Sequence, residues 1–187
     1  MDLVTSGHLD EGEHVVSFYD GAEHLTDLAV PYLAAAVREG DTVIVIATPE
    51  HRAAFAAALA DAGIDVHDAL CHMRVRLFDA AEMLSRFMRD GSVHRGAFID
   101  SVGHCVREAV AEGRPVRAYG EMVALLWAEG NRSGAIDLER AWNLLGRELP
   151  FALLCSYPDS VADDPDTAAE LAEVYELHSH VVPVAAS

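Results

Sequence analysis

Short apolar runs alternate with longer amphipathic stretches along most of the chain. The run from Thr42 to Ala47 is apolar after its first residue and rich in β-branched side chains, which is typical of a strand buried on both faces of a parallel sheet. Similar runs predict strands at 14–19, 74–78, 115–119 and 151–157, with helical spacing of apolar residues between them. This alternation predicts an α/β fold, with a mostly parallel central sheet of about five or more strands and helices on both faces.

Helix starts are marked by polar residues with capping chemistry. Thr48 precedes a proline, and a threonine N-cap followed by proline at the first helical position favours a helix. Asp20 and Asp79 are each followed three residues later by a glutamate, Glu23 and Glu82, which is the spacing of a capping box. These signals predict helices directly after the first, second and third strands.

The chain reads as one domain. Its 187 residues suit a single hydrophobic core, and we expect that domain to span residues 13–183. The ends, 1–12 and 184–187, are predicted to be flexible. A last helix is predicted over 164–180, and the stretch 160–166 is the one candidate hinge between that helix and the body. The predicted helix carries apolar residues at helical spacing: Leu171, Val174 and Tyr175.

The charge of the chain excludes several classes of partner. It has 13 basic and 31 acidic residues, a formal net charge of -18, and all of the basic residues are arginine. Such a surface repels phosphate backbones and anionic lipid, so we expect no direct contact with nucleic acid or with a membrane. We find neither a membrane span nor a signal peptide in the sequence. The three widely spaced cysteines form no CxxC motif, which favours a reducing, cytoplasmic location.

Familiar catalytic and cofactor motifs are missing. The first strand-to-helix turn, Tyr19-Asp20-Gly21-Ala22-Glu23-His24, offers two acids where a phosphate loop needs glycines and a lysine. No two of the 13 glycines are two residues apart, which removes the dinucleotide fingerprint. GxSxG and HExxH are also absent. We therefore predict a non-enzyme with no cofactor and no metal site, and hydrolysis of nucleotides by a phosphate loop is close to excluded.

Three clusters of side chains remain as candidate sites. Glu121 follows the fourth predicted strand, and the alternative is an ordinary acid at a helix start. Glu139 and Trp142 share a helix face with Asn143 close by. The favoured interpretation of Trp142 is a buried side chain that packs on the sheet, whereas Asn143 in mid-helix is harder to explain as core. Tyr157 lies at the end of the fifth strand in the string Cys155-Ser156-Tyr157-Pro158, where a buried cysteine and a half-buried tyrosine are the alternative.

The paired histidines near the carboxyl terminus allow two interpretations. His178-Ser179-His180 is the tightest pair among ten otherwise scattered histidines, so it is a candidate for a ligand or metal role. The favoured interpretation is a helix C-terminus, where histidine interacts well with the helix dipole.

Several strings in combination resemble the MEDS domain, the methanogen/methylotroph DcmR-type sensory domain. The resemblance covers about residues 14–183. It is carried by these residues: His14, Phe18-Tyr19, Gly40-Asp41-Thr42-Val43, Phe78-Asp79-Ala80, Phe87-Met88, Gly91, Phe98, Arg117-Ala118-Tyr119-Gly120-Glu121-Met122-Val123, Leu126-Trp127, Leu138-Glu139, Trp142-Asn143, Phe151, Leu154-Cys155-Ser156-Tyr157-Pro158 and Leu177-His178-Ser179-His180-Val181-Val182-Pro183.

The resemblance implies a KaiC/RecA-like fold with a degenerate phosphate loop, which agrees with the acidic turn after the first strand. It also implies a role in sensing a small molecule, with hydrocarbon derivatives as the proposed ligand class. Members of the family occur in transcriptional regulators, beside histidine-kinase-type modules, and alone. No DNA-binding or kinase module accompanies the domain here, so the output partner is expected to be a separate regulatory or kinase-type protein.

We therefore expect a non-catalytic sensory domain that binds a small molecule at the carboxyl ends of the strands, where α/β folds place ligands. One alternative is an interaction adaptor without a ligand, which would regulate an anti-sigma or kinase-type partner. Another is an enzyme that uses Glu121 as a general base. The predicted pocket combines a charge at Glu121, an orienting amide at Asn143 and apolar walls. Its residues are Tyr19, Glu121, Trp127, Glu139, Trp142, Asn143 and Tyr157.

Overall fold

The structure is a computed structural model that describes residues 9–162 and 165–182. Its centre is a six-stranded sheet in which every pair of neighbouring strands is parallel. The strands follow the order β3-β2-β6-β7-β1-β8 across the sheet. They are β1 (His14–Tyr19), β2 (Thr42–Ala47), β3 (Val75–Asp79), β6 (Val116–Gly120), β7 (Ala152–Pro158) and β8 (His180–Val182); a separate hairpin pairs β4 (Met88–Arg89) with β5 (Ser92–Val93).

Helices connect the strands of the main sheet. They are α1 (Gly21–Glu39), α2 (Pro49–Asp61), α3 (Val66–Cys71), α4 (Ala80–Phe87), α5 (Arg95–Phe98), α6 (His104–Ala111), α7 (Met122–Ala128), α8 (Arg132–Gly146) and α9 (Ala168–Glu176). A π-helical turn over Ile99–Gly103 joins α5 to α6. Among the described residues, no helix is both long and apolar enough to cross a membrane.

The two faces of the sheet carry separate hydrophobic cores. Side chains of a strand alternate between faces, so Val43 and Val45 of β2 point to one core while Ile44 and Ile46 point to the other. Helices α1, α2 and α3 cover the first face. Helices α4 to α9 cover the second. All six residues of β2 are buried, as the apolar run predicts. The α/β fold with a parallel sheet and helices on both faces is confirmed.

Local capping is confirmed at two of the three predicted helix starts. The Thr48 hydroxyl accepts the His51 N–H at the start of α2, and Asp79 accepts the Glu82 N–H at the start of α4. The Asp20 side chain makes no cap hydrogen bond to the described residues, and its backbone N–H instead donates to the ring of His24. The capping box predicted there is wrong, because the His24 ring replaces the Glu23 side chain as the acceptor of the Asp20 N–H.

The carboxyl-terminal region differs from the prediction. The helix predicted over 164–180 is shorter, since α9 spans Ala168–Glu176 and residues His180–Val182 form β8. Leu171 and Val174 are buried against the second core, while Tyr175 is 38% exposed and its ring contacts Phe18 edge-on. Helical spacing could not reveal β8, because a three-residue strand is too short to show a pattern.

The two ends predicted to be flexible lie largely outside the described residues, which begin at residue 9 and end at residue 182. The described part of the amino-terminal segment is held in place. Leu9 is buried beside the first core, and the Gly12 N–H donates to the Phe151 carbonyl. The segment 9–12 therefore differs from the flexible end that its polarity predicts.

Candidate functional site

Glu121 lies at the carboxyl edge of the sheet, as predicted, and its side chain is 2% exposed. Its own N–H continues the β6–β2 pairing by donating to the Ile46 carbonyl. The carboxylate accepts hydrogen bonds from the Thr48 N–H, from His51 Nδ1 at 2.7 Å and from the Tyr119 hydroxyl at 3.2 Å. Glu121 thus joins the turn after β6 to the turn after β2, which is the start of α2.

The charge of Glu121 acts on its neighbours. The hydrogen bond to Glu121 raises the pKa of His51 above its usual value, although partial burial acts in the opposite direction. Burial and then the Glu121 charge raise the pKa of Tyr19 to about 12. The Tyr19 ring lies edge-on to His51 at 6.3 Å between centroids. Protein groups therefore already stabilise the Glu121 carboxylate.

A second buried carboxylate, Glu139, lies on the other face of the sheet and is fully buried. It is contributed by α8 and lies over β1 and β7. The Tyr157 hydroxyl donates to Glu139 at 2.9 Å, and the Cys155 thiol lies 3.6 Å from the carboxylate. Two ring nitrogens also approach it: His14 Nε2 at 3.3 Å and His178 Nε2 at 3.5 Å. We call His14, Glu139, Cys155 and His178 the buried cluster.

Burial dominates the electrostatics of the buried cluster. It lowers the pKa of His178 to about 4, although Glu139 acts in the opposite direction. It raises the pKa of Cys155 and of Tyr157 well above their usual values, and the Glu139 charge adds to both increases. Burial also acts to raise the pKa of Glu139, but His178, His14 and the Tyr157 hydroxyl outweigh it, so that pKa is lowered. The part of this lowering that comes from His14 and His178 requires protonated rings, so with both rings neutral only the Tyr157 hydroxyl acts in that direction.

A cavity of about 430 Å³ adjoins the buried cluster. It lies at the amino-terminal edge of the sheet, opposite the predicted edge, and we call it the amino-edge cavity. His14 and His178 form part of its wall, and so does Asn143. Its apolar wall consists of Trp142, Phe151, Leu153 and Leu177; the rest is Gly12, Glu13, Gly146, Arg147, Glu176 and Ser179.

Another cavity, of about 400 Å³, lies at the carboxyl end of β3. Its wall is mainly charged and includes Arg52, which pairs with Asp79 at 3.1 Å. The seven residues predicted to bind a ligand are not part of that wall, as far as the described residues show. The predicted location is therefore matched by a cavity, but not by the predicted side chains.

The seven predicted residues divide among three places. Tyr19 and Glu121 meet at the carboxyl edge. Trp142 and Asn143 line the amino-edge cavity. Tyr157, near the carboxyl end of β7, donates to Glu139, and its ring lies perpendicular to the Trp127 ring at 5.7 Å between centroids. The structure does not bring all seven together in one pocket, because β6 and β7 carry them to different faces and helix α8 spans the length of the sheet.

Three members of the buried cluster were not predicted as site residues. From the sequence, His14 is identified only as a strand residue and as part of the family resemblance, and Cys155 belongs to the third candidate cluster, for which an ordinary buried cysteine is the alternative. His178 carried a weak signal as one of two neighbouring histidines. Its partner in that pair, His180, instead contacts Glu13 at the surface. Four separate elements supply the cluster, so no spacing in the sequence could have revealed it.

The fold and these two carboxylate clusters define an α/β domain with a parallel sheet, a buried polar network and an adjoining cavity. The pattern that describes the MEDS domain, "MEthanogen/methylotroph, DcmR Sensory domain", matches residues 13–179. The chain therefore belongs to the MEDS family of sensory domains, and its class is sensory or regulatory.

Two further comparisons were made, with curated proteins and with solved structures. Curated proteins give no significant match. Among solved structures, the chain is similar to uncharacterized protein PH0321 from Pyrococcus horikoshii, which was crystallised in complex with an unknown peptide. The TM-score is 0.68 at 14% sequence identity, and the match covers 95% of this chain and 79% of that one. At this identity the similarity supports the fold alone.

Proposed function

We propose that this sensory domain binds a small organic molecule in the amino-edge cavity and passes the resulting change to a separate partner protein. The observation that carries the proposal is the cavity itself. Its volume of about 430 Å³ falls within the range of small-molecule sites, which combine apolar walls with a few fixed polar groups. We propose that the domain acts without catalysis.

The lining suggests the chemistry of the ligand. Trp142, Phe151 and Leu153 offer an apolar wall, and all three are nearly fully buried. Arg147 offers a charged group in the same cavity. A small hydrocarbon derivative with one polar or anionic group would match both parts of this wall.

The connection between the cavity and the surface supports a signalling role. The wall segment that includes His178 and Ser179 links α9 to β8. The Ser179 N–H donates to the His14 carbonyl at 2.7 Å, and the His14 N–H donates to the Ser179 hydroxyl at 3.0 Å. A ligand that moves this segment would also move α9 and β8. Both carry exposed apolar side chains, Tyr175 and Val181, and β8 is an edge strand.

The surroundings of Glu121 weigh against its use as a general base. Three donors already occupy the carboxylate, and it is almost inaccessible to solvent. A general base must instead reach the proton that it removes. We therefore propose a structural role for Glu121.

A pair of substitutions at one glycine tests ligand binding. Gly146 lines the cavity at the exposed end of α8, and a Cβ added there meets no heavy atom within 4 Å. Gly146→Trp should fill the cavity mouth, whereas Gly146→Ala adds only a methyl group. We expect thermal shifts with a panel of short-chain alcohols, carboxylic acids and halogenated alkanes for the wild type and Gly146→Ala, but none for Gly146→Trp.

Two outcomes would contradict the proposal. A shift that persists in Gly146→Trp would mean that the molecule binds elsewhere. If no compound shifts the wild type, and a partner protein binds the wild type and Gly146→Trp equally well, the ligand-free adaptor is the better description.

A further inference from the structure

We propose that the buried cluster of His14, Glu139, Cys155 and His178 is a binding site for a divalent transition-metal ion, with Zn²⁺ the best match. This inference goes beyond small-molecule sensing and does not depend on it. It rests on the positions of the four side chains and on the hydrogen bonds that orient them.

Three of the ligand atoms, from His14, Cys155 and Glu139, have the spacing of one face of a tetrahedral site. His14 Nε2 lies 3.3 Å from Cys155 Sγ and 3.3 Å from a Glu139 oxygen. Cys155 Sγ lies 3.6 Å from the same oxygen, and His178 Nε2 lies 3.5 Å from the other oxygen of Glu139. A tetrahedral Zn²⁺ with bonds of about 2.0–2.3 Å separates its ligand atoms by about 3.3–3.7 Å. One ligand atom from each residue falls within 4.8 Å of all the others.

The orientation of His178 leaves a nitrogen lone pair directed at the cluster. Its Nδ1 lies 2.6 Å from the Val174 carbonyl, which only accepts hydrogen bonds, so Nδ1 must carry the proton. Nε2 is buried and has no hydrogen-bond partner among the described residues. A histidine that binds a metal through one ring nitrogen usually donates the N–H of the other to a carbonyl or carboxylate, and His178 makes this contact with Val174.

His14 is oriented in the same way by a side-chain amide. Asn143 Nδ2 donates to the Leu177 carbonyl at 2.8 Å, which identifies the other amide atom as the oxygen. That oxygen lies 3.0 Å from His14 Nδ1 and accepts a hydrogen bond from its N–H. His14 Nε2 then faces Cys155 and Glu139 with its lone pair. Asn143, predicted as an orienting amide for a ligand, thus orients a histidine instead.

Two ring lone pairs and a carboxylate therefore face one another in a buried space. Only the Cys155 thiol proton and the Tyr157 hydroxyl, which donates to Glu139, are available to separate them. Buried acceptors without donors are costly, and a cation between them removes that cost. The cation is either a metal ion or an additional proton within the cluster, and these two alternatives give opposite results in the experiments below.

The donor set selects the class of metal. Imidazole and thiolate ligands suit Zn²⁺ and its neighbours, whereas Mg²⁺ and Ca²⁺ need oxygen ligands. On binding, the Cys155 S–H bond breaks, the sulfur keeps the electron pair and bonds to the metal, and the proton passes to solvent. The amino-edge cavity, which His14 and His178 help to line, provides a path of entry.

Cobalt provides a test that leaves the core unchanged. Cys71 and Cys105 are exposed and half-buried, so the double variant Cys71→Ala/Cys105→Ala keeps Cys155 as its single cysteine. After removal of metal by a chelator, we expect this variant to bind one Co²⁺ per chain. The complex should show thiolate-to-cobalt charge transfer and the strong visible absorption of tetrahedral Co²⁺, and Zn²⁺ should abolish both. Without the charge-transfer band, the proposal is overturned.

Single variants locate the site. Cys155→Ala and His178→Ala, checked for folding by circular dichroism, should each weaken Zn²⁺ affinity more than about 100-fold. The matched control is Cys71→Ala, since Cys71 lies 3.6 Å from His67 and forms a cysteine–histidine pair at the surface. It should bind Zn²⁺ like the wild type. Binding that survives the first two changes, or that is lost in the control, would overturn the proposal.

Stability provides an independent measurement. At free Zn²⁺ about 100-fold above the dissociation constant, the metal-free wild type should melt about 5–10 °C higher than without zinc. No shift, together with no bound metal in elemental analysis of folded protein, would overturn the metal site and leave an additional proton in its place. The two proposals fail separately: ligand shifts without metal binding overturn only the metal site, and metal binding without ligand shifts overturns only the sensing of a small molecule.

Discussion

Two buried glutamates, Glu121 and Glu139, lie on opposite faces of one sheet, and each contacts a histidine and a tyrosine hydroxyl. Around Glu121 every neighbour is a donor: a backbone N–H, a ring nitrogen and a hydroxyl. Around Glu139 the two nearest ring nitrogens are oriented as acceptors by Val174 and Asn143.

This difference separates a structural carboxylate from a candidate binding site. Donors that already satisfy Glu121 fix two turns of the chain in place, and no further partner is needed. The buried cluster around Glu139 is instead short of donors and lies beside a cavity. A buried carboxylate by itself is therefore a poor guide to function. Whether its neighbours are hydrogen-bond donors or acceptors distinguishes a structural carboxylate from a candidate binding site.

The largest expected effect is a loss of stability on truncation, which removes part of the buried cluster and leaves the residues around Glu121 in place. A chain that ends at Ala162 loses His178 and exposes the surfaces that Leu171 and Val174 cover, while the Glu121 cluster is untouched. Burial of two such side chains is worth about 3–6 kcal/mol before chain entropy is counted. We expect a clearly lower melting temperature in calorimetry. If the truncated chain melts like the full chain, α9 does not stabilise the domain and is better described as a segment for binding a partner protein.

The second effect concerns Glu121. Glu121→Ala leaves the Thr48 N–H and the Tyr119 hydroxyl buried without their acceptor, so we expect a loss of about 2–3 kcal/mol in the free energy of unfolding, measured in urea. Glu50→Ala, on the exposed first turn of α2, is the matched control and should change it by less than about 0.5 kcal/mol. Equal stability of Glu121→Ala and the wild type would remove the structural role from Glu121.

The third effect compares the two tyrosines directly. Tyr157→Phe removes a 2.9 Å hydrogen bond to Glu139 and should cost about 2 kcal/mol, because that carboxylate has few other donors. Tyr119→Phe removes a 3.2 Å hydrogen bond to Glu121, which keeps two donors, and should cost about 1 kcal/mol. Both rings are fully buried, so packing is matched. The reverse order in urea denaturation would contradict the difference in donor supply.

The smallest effect is a pH dependence that belongs to the Glu121 cluster. The hydrogen bond to Glu121 raises the pKa of His51 in the folded state, so the charged pair stabilises fully below about pH 6.5. This contribution, below about 1 kcal/mol, should be lost as pH rises through the raised pKa. His51→Gln should remove the decline in stability, whereas His104→Gln, at the exposed start of α6, should keep it. A decline unchanged by His51→Gln would place its origin elsewhere.

Features that depend on neighbours in the sequence could be predicted. The apolar, β-branched run in Thr42–Ala47 predicts a strand buried on both faces, and all six residues are buried. Thr48 and Asp79 cap helices that begin one residue later. The position of Glu121 at the carboxyl edge also follows from the strand before it. Asp20 shows the limit of such local predictions. The capping pattern assigns the Asp20 N–H to the Glu23 side chain, but the N–H donates to the ring of His24, four residues away.

The candidate site could be predicted only in part. Glu139, Trp142 and Asn143 were selected because their types are unusual at helical spacing, and two of them line the amino-edge cavity. The prediction places them at the carboxyl edge, whereas the cavity that Trp142 and Asn143 line is at the amino-terminal edge. The rule that ligands lie at the carboxyl edge is statistical, and here the segment after α9 turns back beside β1 and closes a cavity at the other edge.

The parallel sheet, the helices on both faces and membership of the MEDS family could all be inferred from the order of residues, because alternation, caps and family strings are local patterns. The meeting of His14, Glu139, Cys155 and His178 emerges only from the folded chain. They come from β1, α8, β7 and the turn after α9, and the register of β1 against β7 and β8 sets their distances. Those distances depend on packing between elements far apart in the chain, which no local pattern encodes.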